Sequence, residues 1–304
     1  MSSAKVCAVI VTYNGMKWIE KCVDSIVRST VETDILVVDN GSKDGTFEYL
    51  EKTGVCKFLF RSSINLGFGK ANNLALRKGH SLGYEYFLLL NQDAWVEESM
   101  VDHLIASLQA ETHYGIASPL HYNGSGTSFD SFFESYLSRT NSYQEDLKTN
   151  SVRNRLYESP FINAACWMLN RNTLEEVGLF HPLFDHYGED DNYIDRLHQK
   201  GLKLGLDPKV KVYHDREDIA VNPLKNDPGR LFKRSTLRSL LHPEHNESWK
   251  TDFKKARKTA KKLSREMSGV FKIIFRIKCL LKFFYTYRDV KSFKKKRKSE
   301  LSIH

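Results

Sequence analysis

Four short apolar runs alternate with helix-like segments along the first third of the chain, and each run ends in polar residues. An unbroken apolar run of four to seven residues is typical of a strand buried on both faces of a sheet. Strands that alternate with helices predict an α/β fold with a doubly wound, mostly parallel sheet. The four predicted strands are residues 6–11, 34–38, 57–61 and 87–90.

Polar residues suited to a nucleotide follow these predicted strands. In open α/β sheets, ligands bind outside the carboxyl ends of the strands. Asp39 can accept a hydrogen bond from the N–H of a base, and Gly67 and Gly69 allow backbone N–H groups to approach a phosphate at a helix start. Asp93, two residues after Asn91, can reach a divalent cation and the phosphates it carries. Each motif taken alone also fits an ordinary polar turn.

Length and cysteine content indicate the class of protein. The 304 residues correspond to one large or two small domains. The five cysteines are odd in number and never occur in C-x-x-C spacing, which favours a reducing cytoplasm over a disulfide framework or a zinc site. We expect no signal peptide, because the first five residues lead directly into a predicted strand. No stretch reaches the roughly 20 apolar residues of a membrane-spanning helix.

The net charge of +9 is distributed unevenly. Residues 250–298 contain 19 Lys or Arg and three acidic residues, a net charge of +16, so the rest of the chain carries −7. Within this segment, residues 270–284 place apolar side chains at helical spacing between basic ones. A basic amphipathic helix favours binding to an anionic membrane surface, here through residues 268–298. A helix that packs on the protein itself would show the same period.

Two further features of the basic region bear on partners. No recognition motif accompanies the charge, so we expect no nucleic-acid partner. Four basic residues just before this region can meet a diphosphate or an acceptor phosphate, although a solvated face fits them at least as well. They are Arg230, Lys233, Arg234 and Arg238.

Four motifs occur in order along the first third of the chain. They are Ile10-Val-Thr-Tyr-Asn14, Val37-Val-Asp-Asn-Gly-Ser-Lys-Asp-Gly-Thr46, Asn65-Leu-Gly-Phe-Gly-Lys-Ala-Asn-Asn73 and Leu89-Leu-Asn-Gln-Asp93. Together they resemble the N-terminal half of the family-2 inverting glycosyltransferases of the GT-A fold. The resemblance runs from about Val6 to His214 and is closest to the bacterial rhamnosyltransferase-like subgroup. It implies a GT-A (Rossmann-like), mostly parallel sheet flanked by helices.

The resemblance implies a nucleotide-sugar donor and a divalent cation, Mn or Mg. Asp39 would bind the uracil or thymine base, and Asp93 and His214 would share the metal. Asn91 stands where the family's D-x-D motif has its first Asp, so one carboxylate fewer predicts weaker metal binding. A lone His is otherwise more often a packing residue. The implied donor-binding residues are Thr12, Tyr13, Asn14, Asp39, Asn65, Gly67, Phe68, Asn72, Asn91 and Gln92.

Three consecutive acids, Glu189, Asp190 and Asp191, begin a predicted helix. Acids in the first turn are ordinary partners of the helix dipole. Crowded carboxylates also have raised pKa values, which suits a general base. The resemblance assigns the base to Asp190, leaves Asp191 as a competitor, and gives Glu189 the role of orienting the acceptor or the loop.

The segment 121–158 is polar and rich in aromatic residues. We interpret it as a long loop with one irregular helix that serves as a lid or binding loop. A disordered insertion is the alternative, although the aromatic content argues against it. Strands are predicted at 115–119, 161–169, 202–206 and 210–215.

These features predict a GT-A catalytic domain over residues 1–220 and a basic helical C-terminal extension over 221–304. The nucleotide half would cover about 1–115 and the acceptor half about 116–220. The resemblance implies metal-assisted inverting transfer of a hexosyl-type sugar from a UDP- or dTDP-sugar to a glycan or lipid-linked glycan acceptor. We expect this in cell-surface polysaccharide synthesis, in the cytoplasm, peripheral on the inner face of the cell membrane.

Two alternatives remain open. A sugar-phosphate nucleotidyltransferase would share the sheet and the metal, but it would need a Gly-rich N-terminal loop with Arg and Lys that Thr12-Tyr13-Asn14 does not supply. A non-catalytic sugar-nucleotide-binding protein would not need the acids and the histidine, and Asp93, Asp190 and His214 are all present.

Overall fold

A nine-stranded sheet runs through the part of the chain that the computed structural model describes, which is residues 4–185, 187–216, 227–296 and 298–304. The strands are β1 (Val6–Thr12), β2 (Thr33–Asp39), β3 (Cys56–Arg61), β4 (Tyr86–Asn91), β5 (Ala94–Val96), β6 (Tyr114–Asn123), β7 (Tyr157–Glu158), β8 (Cys166–Asn170) and β9 (Lys203–His214).

Eleven α-helices and one short 3-10 helix, Lys298–Leu301, complete the described fold. The α-helices are α1 (Ile19–Val27), α2 (Thr46–Thr53), α3 (Phe68–Ser81), α4 (Met100–Ala110), α5 (Phe133–Leu137), α6 (Asn141–Lys148), α7 (Arg171–Val177), α8 (Glu189–Gln199), α9 (Pro228–Leu241), α10 (Trp249–Leu263) and α11 (Gly269–Lys296).

The sheet is mostly parallel, as predicted. Its order is β3-β2-β1-β4-β8-β6-β9-β5, with β7 also on β9. Six of the nine described strands point the same way, and β5, β7 and β8 oppose them. The antiparallel β8 separates β4 from β6. The sequence could not reveal this arrangement, because buried parallel strands and buried antiparallel strands have the same apolar pattern.

Alternate residues of the central strands build two cores, one on each face of the sheet. In β1, Cys7 and Val9 face the core formed with α3, α7 and α8. Ala8 and Ile10 face the core formed with α1, α2 and α4. All four side chains are fully buried, as the two-residue period of a strand between two helical layers requires.

The acceptor half differs from the prediction in three places. Residues 121–158 are not one long loop with a single helix, because β6 continues to Asn123 and α5, α6 and β7 follow. Phe133, Tyr143 and Tyr157 anchor this segment in the core, so the disordered alternative is wrong. The predicted strand 161–169 is confined to β8, and the two predicted closing strands are one strand, β9, which bulges where its register with β6 shifts after Pro119.

Helices α9, α10 and α11 pack against one another and against the body of the protein. Phe283 of α11 lies between α9 and α10 with Phe232 and Phe253. After α11 the chain returns to the core formed with α3, α7 and α8, where Ile303 is buried. There the Leu179 N–H donates to the Leu301 carbonyl at 2.8 Å. The predicted domain boundary at residue 220 lies outside the described residues.

Helix α11 has two apolar faces. One packs on α9, α10 and the body, whereas the other is exposed. The exposed residues are Val270, Phe271, Ile273, Ile274, Ile277, Leu281 and Phe284. None of the helices in the described ranges is long and apolar enough to cross a membrane.

The packing of α11 predicts opposite outcomes at two adjacent phenylalanines. Phe283 is 1% exposed and Phe284 is 45% exposed. Phe283→Ala should lower the free energy of unfolding by ~3 kcal/mol, because it leaves a cavity between three helices. Phe284→Ala should lower the free energy of unfolding by less than ~1 kcal/mol, because its side chain is largely exposed. Urea denaturation measures both, and equal losses would contradict this packing.

Candidate functional site

Two adjoining concavities open at the carboxyl ends of β1 and β4. We call the first the β1–β4 cleft, with Tyr13, Asn65 and Gln92 in its wall. We call the second the α8 cavity; its volume is about 700 Å³ and it contains the N-terminal turn of α8. Phe68, Asn91 and Asp93 line both. The two spaces therefore form one continuous site.

Asp39 lies beneath the β1–β4 cleft and organises the loop that follows β2. Its Oδ1 accepts hydrogen bonds from the backbone N–H groups of Gly41 and Ser42 at 3.0 and 2.9 Å. Its Oδ2 accepts from the Thr12 and Ser42 hydroxyls at 2.8 and 2.5 Å. Asp39 is fully buried, and these four bonds use its full acceptor capacity. A base N–H could bond to it only if one hydroxyl turned away.

Gln92 ties the end of β4 to the end of β1. Its Oε1 accepts from the Tyr13 N–H at 2.9 Å, and its Nε2 donates to the Tyr13 carbonyl at 3.1 Å. A Cβ at Gly15 would lie 2.1 Å from Gln92 Oε1, so glycine is required for this approach. Asn14 extends the link, because its Oδ1 accepts from the Lys43 N–H at 2.9 Å. Gln92 and Asn14 therefore shape the cleft through the backbone.

The start of α3 lies directly against the loop before α8. Asn65 Oδ1 accepts from the Gly67 N–H at 2.8 Å. Gly67 has φ +77°, and a Cβ there would lie 2.2 Å from the Asp185 carbonyl oxygen. The Asn72 side chain is buried on α3, and its Nδ2 donates to the Phe68 carbonyl of the same helix at 3.0 Å. Of the implied donor-binding residues, the structure thus places Asn65, Gly67 and Phe68 at the cleft and Asn72 behind it.

Asp93 and His214 lie next to each other although 121 positions separate them. Strand β5 pairs with β9, and this brings Asp93 Oδ1 to 3.3 Å from His214 Nε2. Asn91 Nδ2 is also 3.3 Å from that nitrogen. On the other side of the ring, Asp130 Oδ2 is 3.1 Å from His214 Nδ1. A carboxylate behind a histidine is the arrangement that orients a metal-ligating imidazole.

The charges around His214 oppose the effect of its burial. Burial lowers the pKa of His214, but the carboxylates of Asp93 and Asp130 outweigh it and raise this pKa above its ordinary value. Burial raises the pKa of Asp93, yet His214 brings it below the usual range. Asp130 was not identified from the sequence. It is one of five acids in the polar aromatic segment 121–158, and only the fold brings it to His214.

Two of the three acids at the start of α8 have raised pKa values. Burial is the main cause for both, followed by the charge of Asp190 for Glu189 and of Asp191 for Asp190. Glu189 is buried, and its Oε2 has no hydrogen-bond partner within the described residues. Asp190 is partly exposed to the cavity, with its Oδ1 accepting from the Asp191 N–H at 2.9 Å.

Asp191 is held by two arginines from α9. Arg234 Nη2 lies 2.5 Å from Asp191 Oδ2, and Arg238 Nη1 lies 2.8 Å from Oδ1. Both carboxylate oxygens are therefore engaged, unlike those of Asp190. The sequence suggested a phosphate contact or a solvated face for these arginines, whereas the structure gives them this carboxylate as partner. The contact also joins α9 to the start of α8.

A curated relative resembles most of this chain. The glycosyltransferase GlyA of Streptococcus pneumoniae serotype 4 is 25% identical over 246 residues, which cover 78% of this chain and 33% of GlyA. The chain thus spans about a third of the length of that relative.

Solved structures show the same fold at low identity. S. aureus TarS 1–349 in complex with UDP-GlcNAc has a TM-score of 0.61 at 13% identity, covering 96% of this chain and 92% of that one. The mannosyltransferase PcManGT from Pyrobaculum calidifontis, in complex with GDP-Man and Mn2+, has a TM-score of 0.58 at 16% identity, covering 95% and 75%. These likenesses confirm the predicted GT-A fold.

Glycosyl transferase family 2 matches residues 7–178, which is more than half of the sequence and includes all four motifs. Together with the GT-A architecture and the continuous site at the carboxyl ends of β1 and β4, this match shows that the chain belongs to glycosyl transferase family 2.

Proposed function

We propose that this protein is an inverting glycosyltransferase that moves a hexosyl-type sugar from a UDP- or dTDP-sugar to a glycan or lipid-linked glycan acceptor. The observation that carries the proposal is the α8 cavity. It contains the Asp93–His214 pair and the Asp190 carboxylate, and it opens into the β1–β4 cleft. The proposed base and the proposed diphosphate site would then share one space, as a single displacement requires.

Asp190 is the best-placed base. A base needs a free lone pair and a pKa close to the working pH. The Asp191 oxygens are each held by an arginine, whereas Asp190 is open to the cavity and has a raised pKa. In the proposed step, Asp190 takes the proton of the acceptor hydroxyl. The acceptor oxygen then bonds to the anomeric carbon from the face opposite the nucleoside diphosphate, which leaves with the electrons of the broken C–O bond.

Asp93 and His214 fit a divalent cation. Two ligand atoms on one ion with bonds of about 2.1 Å lie roughly 3.0–3.4 Å apart, and Asp93 Oδ1 and His214 Nε2 are 3.3 Å apart. Asp130 Oδ2 lies 3.1 Å from His214 Nδ1, and a proton on Nδ1 would leave Nε2 free to bind. A bound Mn or Mg ion would neutralise charge on the departing diphosphate.

The β1–β4 cleft is the proposed donor site. Tyr13 and the start of α3 would contact the nucleotide, while Gln92, Asn14 and Asp39 hold the loops that shape the cleft. TarS was solved with UDP-GlcNAc and PcManGT with GDP-Man. UDP-, dTDP- and GDP-sugars should therefore all be screened as donors.

Replacing the proposed base should lower turnover without changing donor affinity. Asp190→Asn keeps the shape but cannot accept a proton, so turnover should fall roughly a hundredfold or more. Donor affinity, measured by calorimetry, should stay the same. Asp191→Asn is the matched control, and its main effect should be lower stability. If Asp191→Asn were inactive and Asp190→Asn had nearly normal turnover, Asp191 rather than Asp190 would be the base.

The same assignment predicts a pH profile in the wild-type enzyme. Because the folded-state pKa of Asp190 is raised, the acid limb of kcat/KM should lie above the ordinary Asp value of about 4. Activity should be present above the raised pKa and be lost as pH falls through it.

The metal site predicts chelator sensitivity. Asp93→Ala should abolish metal-dependent binding of UDP or dTDP, observed as a lost thermal shift, without unfolding the protein. Asp102→Ala, an exposed acid on α4, is the control and should behave as wild type. Sugar transfer at full rate in excess chelator would show that no metal is needed.

We also propose that the exposed face of α11 binds an anionic membrane surface. Basic side chains of α10, among them Lys254, Arg257 and Lys261, line a groove together with Arg276 and Leu280 of α11. Trp249 is 40% exposed, and its ring stacks on that of Phe253 with centroids 5.2 Å apart. The Trp249 ring also contacts Phe284 of α11, with centroids 6.0 Å apart. Apolar side chains rimmed by basic ones, with a Trp at the border, complement an anionic lipid interface. The protein would then work in the cytoplasm, peripheral on the inner membrane face, near a lipid-linked acceptor of polysaccharide synthesis.

Point variants test the membrane proposal better than truncation, because ending the chain before α11 would also remove the buried side chains of Phe283 and Ile303. The full chain should sediment with anionic vesicles, partly through basic residues worth about 1 kcal/mol each that salt screens. The double variant Phe271→Ser with Ile274→Ser should lose the part of vesicle binding that persists at high salt, because that part comes from apolar insertion. Ile64→Ser combined with Val152→Ser, exposed apolar residues elsewhere, is the control. Wild-type protein that stays in the supernatant at low salt rules the proposal out.

A further inference from the structure

A basic groove lies between α10 and α11 and shares no lining residue with the α8 cavity. We call it the α10–α11 groove, and its volume is about 670 Å³. That volume is in the range of small-molecule sites, roughly 300–1,000 Å³. Within the described part of the chain, six basic residues and no acidic residue line it. The basic residues are Lys254, Lys255, Arg257, Lys258, Lys261 and Arg276.

Most of this positive charge is uncompensated. Lys255 Nζ lies 2.6 Å from Glu247 Oε1, and Arg276 Nε donates to the Ser264 hydroxyl oxygen at 2.8 Å. The four other basic residues of the groove are exposed, and no acidic side chain of the described ranges forms an ion pair with them. Cations gathered around one concavity without counter-charges create a potential that attracts an anion.

The interior of the groove is apolar. Ala260 of α10 is 1% exposed, and Leu280 of α11 is partly buried. The side chains around them add apolar surface, because lysine and arginine carry their charge at the end of an aliphatic stem. The groove therefore combines an apolar floor with a cationic rim.

The groove adjoins the exposed apolar residues of α11. Ile273 precedes Arg276 by three positions, Ile277 precedes Leu280 by three, and Phe284 follows Leu280 by four. Residues at this spacing are neighbours on a helix surface. Ile273, Ile277 and Phe284 are all exposed. A molecule in the groove would thus lie beside the face that is proposed to meet the membrane.

We propose that the α10–α11 groove binds one phosphomonoester lipid, with its phosphate on the basic rim and the start of its chain against Ala260 and Leu280. The assignment rests on the membrane proposal and names the lipid chemistry that is recognised. A phosphomonoester carries about −1.5 to −2 charges near pH 7 and three strong acceptor oxygens. Lysine and arginine side chains supply only donors, so the two sets of groups are complementary.

Other anionic occupants match the groove less completely. A polyanion without an apolar part, such as a nucleic acid, would pair with the rim but leave the floor uncovered. A phosphodiester lipid would cover the floor, but its single negative charge would neutralise less of the rim. A phosphomonoester lipid supplies both the apolar chain and the higher charge.

Calorimetry with soluble amphiphiles below their micelle concentration tests the groove on the full chain. Wild type should bind one octyl phosphate per chain, at least roughly tenfold more tightly than inorganic phosphate, because only the alkyl compound reaches the floor. Octyl sulfate, with the same chain but a single charge, should bind more weakly than octyl phosphate. If inorganic phosphate or octyl sulfate binds as tightly as octyl phosphate, the proposal is overturned.

Two triple variants that remove equal charge distinguish the groove from general attraction. The groove variant replaces three rim residues and is Lys254→Gln with Arg257→Gln and Lys261→Gln. The control replaces three exposed basic residues outside the groove and is Lys250→Gln with Lys262→Gln and Arg265→Gln. At physiological ionic strength, where charges beyond about 8 Å are screened, only the groove variant should lose affinity for octyl phosphate, by about tenfold or more. Equal losses in both variants would overturn the site.

The floor has its own test. Leu280→Ala should weaken the binding of octyl phosphate several-fold and leave that of inorganic phosphate unchanged, because only the alkyl chain contacts this side chain. Loss of both ligands to the same extent would contradict the assigned floor.

Thermal shift with UDP and Mn2+ on the same proteins should be equal to wild type, which shows that the variants are folded and keeps the test separate from sugar transfer. If wild type sediments with anionic vesicles but binds no octyl phosphate, the groove assignment is wrong and the membrane proposal stands. If it does neither, both fail.

Discussion

The pairing of β9 with both β5 and β6 is the constraint on which the site depends. Strand β9 runs parallel to β6 and antiparallel to β5, and this places His214 directly opposite Ala94, one residue after Asp93. Neither residue could approach the other through local structure, since 121 positions separate them. A register slip of one residue would turn the His214 side chain to the other face of the sheet and remove the pair.

The basic C-terminal helices are part of the site rather than an appendage. Arg234 and Arg238 of α9 hold Asp191, and α9 in turn packs on α11, whose outer face is apolar and exposed. A buried carboxylate without its partners would be strongly destabilising, so α9 has to be in place for α8 to start as it does. The exposed face of α11 and the geometry around Asp190 are thereby joined through packed helices.

Several polar residues of the motifs shape the site through bonds to neighbouring loops or to their own helix. Asp39 and Gln92 use their oxygens on backbone and hydroxyl donors of neighbouring loops, and Asn72 bonds within its own helix. Loops that carry several exposed N–H groups need such acceptors to hold one conformation. The polar residues of the family motifs therefore divide into those that face the cleft and those that keep the cleft in shape.

The alternation of strands and helices and the helix start at the three acids of α8 were predictable from the sequence, because both depend on local periodicity and short-range capping. The sequence could not distinguish the surroundings of Asp190 from those of Asp191, bring Asp130 to His214, or place β8 antiparallel. Those outcomes depend on α9, on a segment 84 positions before His214, and on a long-range strand pairing. These features could not be predicted from local sequence, because burial, charge pairing and strand pairing arise between elements that are far apart in the chain.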